Sequence, residues 1–297
     1  MSHPRLLFIV GPTASGKTEI ALREAERNGA SILSCDSLCV FKGMDIGTAK
    51  PTPGEQKRVP HYGIDLAEPR DPFSVSKYIE YRDQVLAKHR EEKRPIIVAG
   101  GSGFYLKSFF APVIDEIEVP EKVNLHVQGI HQSGGLEGMI EALIDLHEGN
   151  REFPGLDLQN PRRVEKALVR CLASGKKYGE LLSAFKSQPE PLADWDKEVW
   201  LIERDREDLQ ERNRQRVHQM LRAGLIDEVR RLRAEGFEQN PSASGSIGYR
   251  EVLEYLDNPG SEEDLAENIY IHTNQLMRKQ RTWFRRQIPV TRTLKLT

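Results

Sequence analysis

The sequence predicts an α/β protein with a doubly wound parallel sheet and a helical insertion. Short apolar runs alternate with segments of helix-forming residues through the first third of the chain. The first run ends at a glycine-rich loop that leads into helix formers, and Pro95 stops a helical segment just before another apolar run. Strands and helices that alternate in this order favour parallel strands joined by crossover helices.

Each predicted element has a local reason. An uninterrupted apolar run is typical of a strand that is buried on both faces of a sheet. Such runs cover residues 6–10, 32–33, 96–101 and 199–202. Ser74 is a suitable helix cap, because its hydroxyl can accept a hydrogen bond from an unpaired backbone N–H group. The predicted helices cover residues 17–27, 73–92, 138–147, 206–235 and 262–286.

One segment interrupts this alternation. Between residues 113 and 159 the strand signal disappears, and glycines cluster at 134–138. The 297 residues are enough for roughly two domains of about 150 residues each. We therefore expect a helical insertion at 113–159 and a core formed by residues 1–112 and 160–297.

Composition excludes several classes of protein. The chain is 38% hydrophobic with a formal net charge of −2, so a nucleic-acid surface would have to be a local basic patch. No apolar run approaches the roughly 20 residues that a membrane span needs. No signal peptide is evident at the N-terminus, so we expect a soluble, cytoplasmic protein without a membrane partner. Cys35, Cys39 and Cys171 have the wrong spacing for a disulfide framework or a zinc site.

A phosphate-binding loop, or P-loop, follows the first predicted strand. It matches the pattern G-x-x-x-x-G-K-[ST] and consists of Gly11, Pro12, Thr13, Ala14, Ser15, Gly16, Lys17 and Thr18. Its backbone N–H groups can point at phosphate oxygens, Lys17 adds positive charge, and the Thr18 hydroxyl can ligate Mg²⁺. The alternative is a glycine-rich turn without a ligand. The pattern predicts binding of a diphosphate or a triphosphate and does not distinguish between them.

Further stretches of sequence carry a family resemblance. Residues 31–51 read SILSCDSLCVFKGMDIGTAKP, and with the P-loop and the Gly-Tyr-Arg at 248–250 they closely resemble the tRNA dimethylallyltransferase (tRNA isopentenyltransferase) family. The resemblance extends over residues 59–69, 73–86, 95–110, 160–169, 205–229, 246–256 and 275–287. It implies transfer of a dimethylallyl group from dimethylallyl diphosphate to N6 of the adenosine immediately 3′ of the anticodon, with release of diphosphate. The P-loop would then hold the diphosphate of this donor, with Mg²⁺ as the cofactor.

The resemblance also implies roles for residues that follow predicted strands. Asp36 becomes the general base that accepts a proton from the adenine amine. Ser102 stands where most family members carry Thr, so its hydroxyl is expected to serve catalysis and tRNA contact. The stretch that contacts tRNA in the family corresponds to Asp36, Ser37, Leu38 and Cys39. By position alone, Asp36 could instead be a turn or helix cap, and the glycines before Ser102 could mark no more than a turn.

Two arginines, Arg212 and Arg216, lie four positions apart and therefore share one face of a predicted helix. In the family, arginines on this helix approach the diphosphate, where a guanidinium can neutralise the charge of the leaving group. We place Arg212 with Asp36, Lys17 and Ser102 in the expected catalytic set. The alternative is a solvated helix face with Glu/Arg pairs.

The C-terminal segment 278–292 is basic, with six Arg or Lys residues, no acid, and Trp283 and Phe284 between them. This pattern predicts an RNA surface in which cations contact phosphates and an aromatic ring stacks or packs. For Trp283 the alternative is a place in the core. The tRNA contacts expected in this segment and in the other matching stretches are Asn124, Arg162, Arg163, Lys166, Arg250, Arg278, Lys279, Arg281 and Arg285.

Two positions depart from the family pattern by losing a positive charge. Asn124 or a neighbour stands where the family usually has an arginine, and Gly245-Ser246 replaces an Arg-Cys pair. Neither change affects the P-loop or Asp36, so the expected chemistry is intact while tRNA recognition is in question.

Three functional hypotheses remain at this point. The first is a prenyltransferase, expected to be a monomer, with tRNA and dimethylallyl diphosphate as partners. The second is a P-loop kinase or NTPase, which is disfavoured because Asp36 lies within the family-like stretch and no adenine-binding signature is evident. The third is an RNA-binding relative without activity, suggested only by the lost arginines. We favour the prenyltransferase.

Overall fold

The computed structural model describes residues 4–115 and 117–296. Its first unit comprises the described residues up to 110 and from 191 onward, and a parallel sheet forms the centre of this unit. Its strands are β1 (Arg5–Val10), β2 (Ser31–Cys35), β3 (His61–Tyr62), β4 (Ile96–Gly100), β5 (Asp196–Arg204) and β6 (Arg292–Leu296). They are ordered β3-β2-β4-β1-β5-β6, and every neighbouring pair is parallel. The predicted doubly wound parallel sheet is confirmed.

Helices cover both faces of this sheet. In the first unit they are α1 (Lys17–Asn28), α2 (Pro53–Arg58), α3 (Val75–Glu91), α4 (Gly103–Lys107), α8 (Arg206–Arg222), α9 (Leu225–Ala234), α10 (Pro241–Ser244), α11 (Tyr249–Asp257) and α12 (Glu262–Gln287). Side chains of β1 alternate between two cores, as the strand period requires. Phe8 and Val10 pack into the larger core, whereas Ile9 packs with Ile20 and Ala25 of α1 into the smaller one.

A second unit comprises residues 111–190, and the first unit comprises the chain before and after it. The second unit contains α5 (Glu121–Asp145), α6 (Pro161–Ser174) and α7 (Tyr178–Lys186). Its own core includes Val127, Leu143 and Leu168. Gly135, with φ 60° and ψ −148°, interrupts the helical backbone of α5. The sequence placed the end of the insertion at 159, whereas the structure groups α6 and α7 with it.

Other element boundaries also differ from the prediction. Gly224, with φ 97°, divides the single helix expected at 206–235 into α8 and α9. Strands β3 and β6 were not predicted, because β3 has only two residues and β6 alternates apolar and polar side chains at the sheet edge. The expected Ser74 cap is present and accepts a hydrogen bond from the Lys77 N–H. Within the described residues, no helix is long and apolar enough to cross a membrane.

The register of the sheet brings three strand ends together. Gly100 of β4 lies beside Val10 of β1 on one side and Cys35 of β2 on the other. A side chain at Gly100 would collide with the Cys35 carbonyl, so only glycine permits this approach. The P-loop, Asp36 and Ser102 therefore leave the sheet at one edge, where ligands bind in open α/β folds.

Candidate active site

The P-loop curls between the end of β1 and the start of α1. Ala14 and Gly16 adopt the left-handed conformation, with φ values of 65° and 87°. A side chain at Gly11 would come within 2.8 Å of both the Ile202 carbonyl oxygen and Ser15 Oγ. Such a turn before a helix N-terminus makes a concave surface that suits an anion.

Side chains from distant segments hold the P-loop in this shape. Arg212 Nε of α8 donates to the Ala14 carbonyl at 2.9 Å. Arg204 Nε, at the end of β5, donates to the Ser15 carbonyl at 3.0 Å. Gln280 of α12 accepts a hydrogen bond from the Thr13 N–H at 2.9 Å and donates to the Gly101 carbonyl at 3.4 Å. Arg204 and Gln280 were not predicted, since neither belongs to a recognisable pattern around the loop.

A cationic pocket of about 340 Å³ lies between the P-loop and α8. Its lining residues are Ala14, Gly16, Lys17, Thr18, Arg212, Gln215, Arg216 and Gln219. Three of them carry positive charge, and no acidic side chain is among them within the described part of the chain. The pocket therefore favours a polyanion such as a diphosphate.

Lys17 is the cation most sensitive to its surroundings. Burial lowers its pKa to about 8, the negative charge of Asp36 acts in the opposite direction, and nearby Arg216 lowers it further. Its Nζ donates to the Pro12 carbonyl at 3.4 Å, a long hydrogen bond. Its ammonium group can therefore form a stronger hydrogen bond and ion pair when an anion enters the pocket.

A second, larger cavity of about 650 Å³ is mostly apolar. Its apolar lining includes Leu38, Val217, Met220, Ile247, Ile269 and Leu276, and its polar lining includes Asp36, Ser37, Thr48, Ser102 and Lys279. Arg216 lines both this apolar cavity and the cationic pocket. Burial lowers the pKa of Arg216 while Asp36 raises it, and an arginine remains charged in either case. The sequence ranked Arg216 below Arg212, yet Arg216 is the cation shared by the two cavities.

Asp36 makes a structural contact and is half-buried in the wall of the apolar cavity. One carboxylate oxygen, Oδ1, accepts a hydrogen bond from the Leu38 N–H at 2.9 Å, so the turn expected as the alternative is present. The other oxygen has no hydrogen-bond partner among the residues the structure describes, and the side chain lines the apolar cavity. The turn thus orients a carboxylate whose second oxygen is available to a ligand.

Ser102 connects the ends of two strands. Its Oγ accepts a hydrogen bond from the Ser37 N–H at 2.8 Å and lies 3.1 Å from Ser37 Oγ. Its own N–H donates to the Cys35 carbonyl at 3.1 Å. These contacts fix the backbone on both sides of Asp36. Cys39 is 5% exposed and does not line the cavity, and burial raises the pKa of its thiol.

The stretch after Cys39 is held in place by buried charged side chains, and within it Gly47 and Thr48 line the apolar cavity. Glu228, a buried carboxylate on α9, accepts hydrogen bonds from the Ile46 N–H at 2.8 Å and the Tyr249 hydroxyl at 2.7 Å. Lys50 is buried and forms ion pairs with Asp45 at 2.7 Å and Asp65 at 2.6 Å. The charged residues of the family-like stretch therefore hold its backbone. In the sequence, these hydrogen bonds were indicated only by the position of Glu228, an acidic residue on the apolar face of α9.

The predicted tRNA contacts fall into separate groups. Lys279 lines the apolar cavity. Arg278, Arg281, Arg285 and Arg286 surround a cavity on the surface of α12, where Arg285 is paired with Glu203 at 2.7 Å. Arg250 contacts Glu251 at 2.5 Å and does not line the apolar cavity. Asn124, Arg162, Arg163 and Lys166 are exposed in the second unit.

The structure also shows where the aromatic residues of the basic segment and the Gly245-Ser246 pair lie. Phe284 is fully buried in the larger core, whereas Trp283 is half-buried, packs against that core and also lines the apolar cavity. Gly245 and Ser246 also line this cavity. A side chain at Gly245 would approach the Pro241 carbonyl oxygen to 2.7 Å, so the missing arginine could not be restored without a backbone shift.

The fold and the site together define a P-loop α/β protein with a pocket for a polyanion and a neighbouring apolar cavity that contains a carboxylate. A family model described as IPP transferase matches residues 39–287. A tRNA dimethylallyltransferase of Opitutus terrae is 46% identical over 286 residues, which cover 96% of this chain and 91% of that protein. One of Bdellovibrio bacteriovorus is 35% identical over 295 residues, covering 96% and 92%. The chain belongs to the IPP transferase family.

A solved structure shows the same similarity in three dimensions. The tRNA isopentenylpyrophosphate transferase of Bacillus halodurans superposes with a TM-score of 0.68 at 28% identity. The match covers 98% of this chain and 89% of that one. The resemblance seen in the sequence is therefore confirmed at the levels of family and fold.

Proposed function

We propose that the protein transfers the dimethylallyl group of dimethylallyl diphosphate to N6 of the adenosine 3′ to the anticodon in tRNA and releases diphosphate. The observation that carries this proposal is the pair of cavities that share Arg216. Dimethylallyl diphosphate has a polyanionic part and a short apolar part, and one matches each cavity. The carboxylate of Asp36 lies on the apolar side, where the acceptor amine must arrive.

Charge on the leaving group is the first requirement of this reaction. The C–O bond between the dimethylallyl carbon and the diphosphate breaks, and its electron pair leaves with the diphosphate. Lys17, Arg212 and Arg216 line the pocket in which that negative charge would grow. Because Arg212 is already bound to the Ala14 carbonyl, its guanidinium needs little reorganisation when the bond breaks.

Removal of a proton is the second requirement. As the adenine amine forms the new C–N bond, it must lose one proton, and Asp36 is the carboxylate in the cavity wall that can accept it. The Leu38 N–H holds one oxygen of Asp36 and leaves the other for the amine. Ser102 supports this arrangement through its contacts with Ser37.

Magnesium fits the site as an ion that accompanies the diphosphate. Within the described residues, no group of three or more His, Cys, Asp or Glu side chains could hold a metal. Mg²⁺ commonly keeps several waters and binds through substrate phosphates together with few protein ligands. We expect the Thr18 hydroxyl to be its protein ligand in the cationic pocket. When bound, the ion would neutralise part of the phosphate charge.

Two lesser expectations accompany the proposal. A tRNA substrate supports a cytoplasmic location. We also expect a monomer, which sedimentation of the purified protein would test.

The proposal is tested by incubating the protein with radiolabelled dimethylallyl diphosphate, with ATP and with unmodified tRNA in parallel. We expect label to enter tRNA, and to be absent from a matched tRNA in which guanosine replaces the adenosine 3′ to the anticodon. Turnover of ATP without labelling of tRNA would instead favour a kinase or NTPase. Binding of tRNA with neither reaction would favour an inactive relative.

A further inference from the structure

One aromatic ring in the wall of the apolar cavity lies largely in solvent. Phe104 is 69% exposed, the highest value among the exposed large hydrophobic residues in the described ranges 4–115 and 117–296. It lines the same cavity as Asp36 and Ser102. A single exposed phenylalanine is ordinary on a protein surface, but this ring lines the cavity that contains Asp36, where a bound ligand could cover it.

The surrounding structure keeps the ring in this position. Phe104 belongs to α4, whose next two residues, Tyr105 and Leu106, are buried. Tyr105 stacks on Tyr78 with ring centroids 4.0 Å apart. On the preceding side, a side chain at Gly103 would come within 3.0 Å of the Trp283 ring, so α4 and α12 are in close contact there. Because α4 is anchored on both sides, Phe104 cannot withdraw into the core.

The neighbours of Phe104 point to a nucleic acid rather than to the donor. Phe104 does not line the cationic pocket, and within the apolar cavity, which would also receive the dimethylallyl group, its ring is 69% exposed, as suits a large ligand that arrives from solvent. It shares its cavity with the exposed cation Lys279 and with Leu276, which is 36% exposed. An exposed aromatic face beside a lysine suits an unstacked base and its phosphate.

We propose that Phe104 stacks on the nucleobase next to the reacting adenosine. This inference rests on the proposed function, in which that adenosine must leave the base stack of the anticodon loop to reach Asp36. When it leaves, the neighbouring base loses a stacking partner. The Phe104 ring replaces that partner, and so holds the RNA loop open around the cavity.

The test measures transfer to an unmodified anticodon stem-loop by wild type and by variants of the full chain. We expect Phe104→Ala to raise KM for the RNA about 5- to 100-fold, the range typical of losing one base–aromatic stack. Phe104→Trp should stay near wild type and Phe104→Leu should lie between, while KM for the donor and the melting temperature are unchanged. Ile271→Ala, which removes an exposed apolar side chain of α12 outside the cavity, is the matched control.

A change in the RNA separates stacking from a merely structural role. Replacing the base next to the adenosine, on either side in turn, by an abasic nucleotide should raise KM for wild type at one of the two positions. For the Phe104→Ala variant, the abasic nucleotide at that position should not raise KM for the RNA any further, because the stacking contact is already lost. Additive losses at both positions, or a rise in the donor KM instead, would overturn the inference. Failure of the wild type to modify the intact RNA would overturn the proposed function itself, together with this inference.

Discussion

The two cavities of the site are built in different ways. The cationic pocket comes from the P-loop and from one face of α8, whose lining residues lie at positions 212, 215, 216 and 219. This spacing places them on one side of a helix. The apolar cavity takes its walls from the ends of β2 and β4, from α8 and α12, and from the segment around Ser246.

This difference suits the ligand proposed for each cavity. A polyanion needs donors and positive charge, which a curled backbone and one helix face can supply. An apolar group and a base need a shape, and a shape requires walls from several directions. Four measurements test this division: three concern the residues of one cavity, and the fourth concerns the basic surface of α12 outside both cavities.

The largest effect is expected in the apolar cavity. Asp36→Asn should slow transfer by roughly 10²–10⁴-fold, the range typical of losing a general base, because the amide cannot accept the proton. Affinity for the donor and for tRNA should be retained. Single-turnover transfer with both substrates saturating measures the step, and Asp227→Asn, an exposed acid on α9, is the control. A rate within about threefold of wild type would make Asp36 a positioning residue only.

In the cationic pocket the corresponding change is Lys17→Ala. We expect donor affinity to fall by roughly 10²–10³-fold, as when one charged or preorganised donor is lost, while tRNA affinity and the fold are retained. Titration calorimetry with dimethylallyl diphosphate measures the loss. Lys42→Ala, which removes an exposed lysine paired with Glu68, is the matched control. Unchanged donor affinity in the Lys17 variant would show that the P-loop does not hold the diphosphate.

The same lysine predicts a pH dependence. Because burial lowers the pKa of Lys17 from 10.5 to about 8, the free protein begins to lose this positive charge as the pH rises through 8. Donor affinity should therefore be full below pH 8 and should weaken above it, by at most about tenfold per pH unit. Lys17→Arg keeps its charge over this range, so its donor affinity should not show the decline. A decline of the same size in Lys17→Arg would assign it to another group.

The smallest effect is expected on the surface of α12. Arg285→Ala with Arg286→Ala should weaken tRNA binding and flatten its salt dependence, by about 0.7–0.9 in the log–log slope for each lost phosphate contact. Of the single variants, Arg286→Ala should change the slope more, because Glu203 already pairs with Arg285 at 2.7 Å. Affinity for dimethylallyl diphosphate should not change in the double variant or in the single variants. Parallel salt plots with equal affinity for wild type and the double variant would mean that tRNA lies elsewhere.

Local sequence patterns were sufficient for much of the fold and part of the site. The buried strands were visible as apolar runs, and the P-loop was recognisable because its function depends on contiguous backbone. Asp36 could be placed at the sheet edge because it directly follows a strand. Strand β6 could not be found in this way, since an edge strand of alternating polarity resembles a polar tail.

The tertiary structure alone decided which distant side chains meet. Three features join segments that are far apart in sequence. Gln280 accepts a hydrogen bond from the Thr13 N–H, and the buried Glu228 accepts one from the Ile46 N–H. Phe104 and Asp36 line the same cavity. The physical reason is the range of the interactions. Hydrogen bonds within a turn and the apolar period of a strand are set by neighbouring residues, whereas the walls of the apolar cavity are set by how helices pack on the sheet.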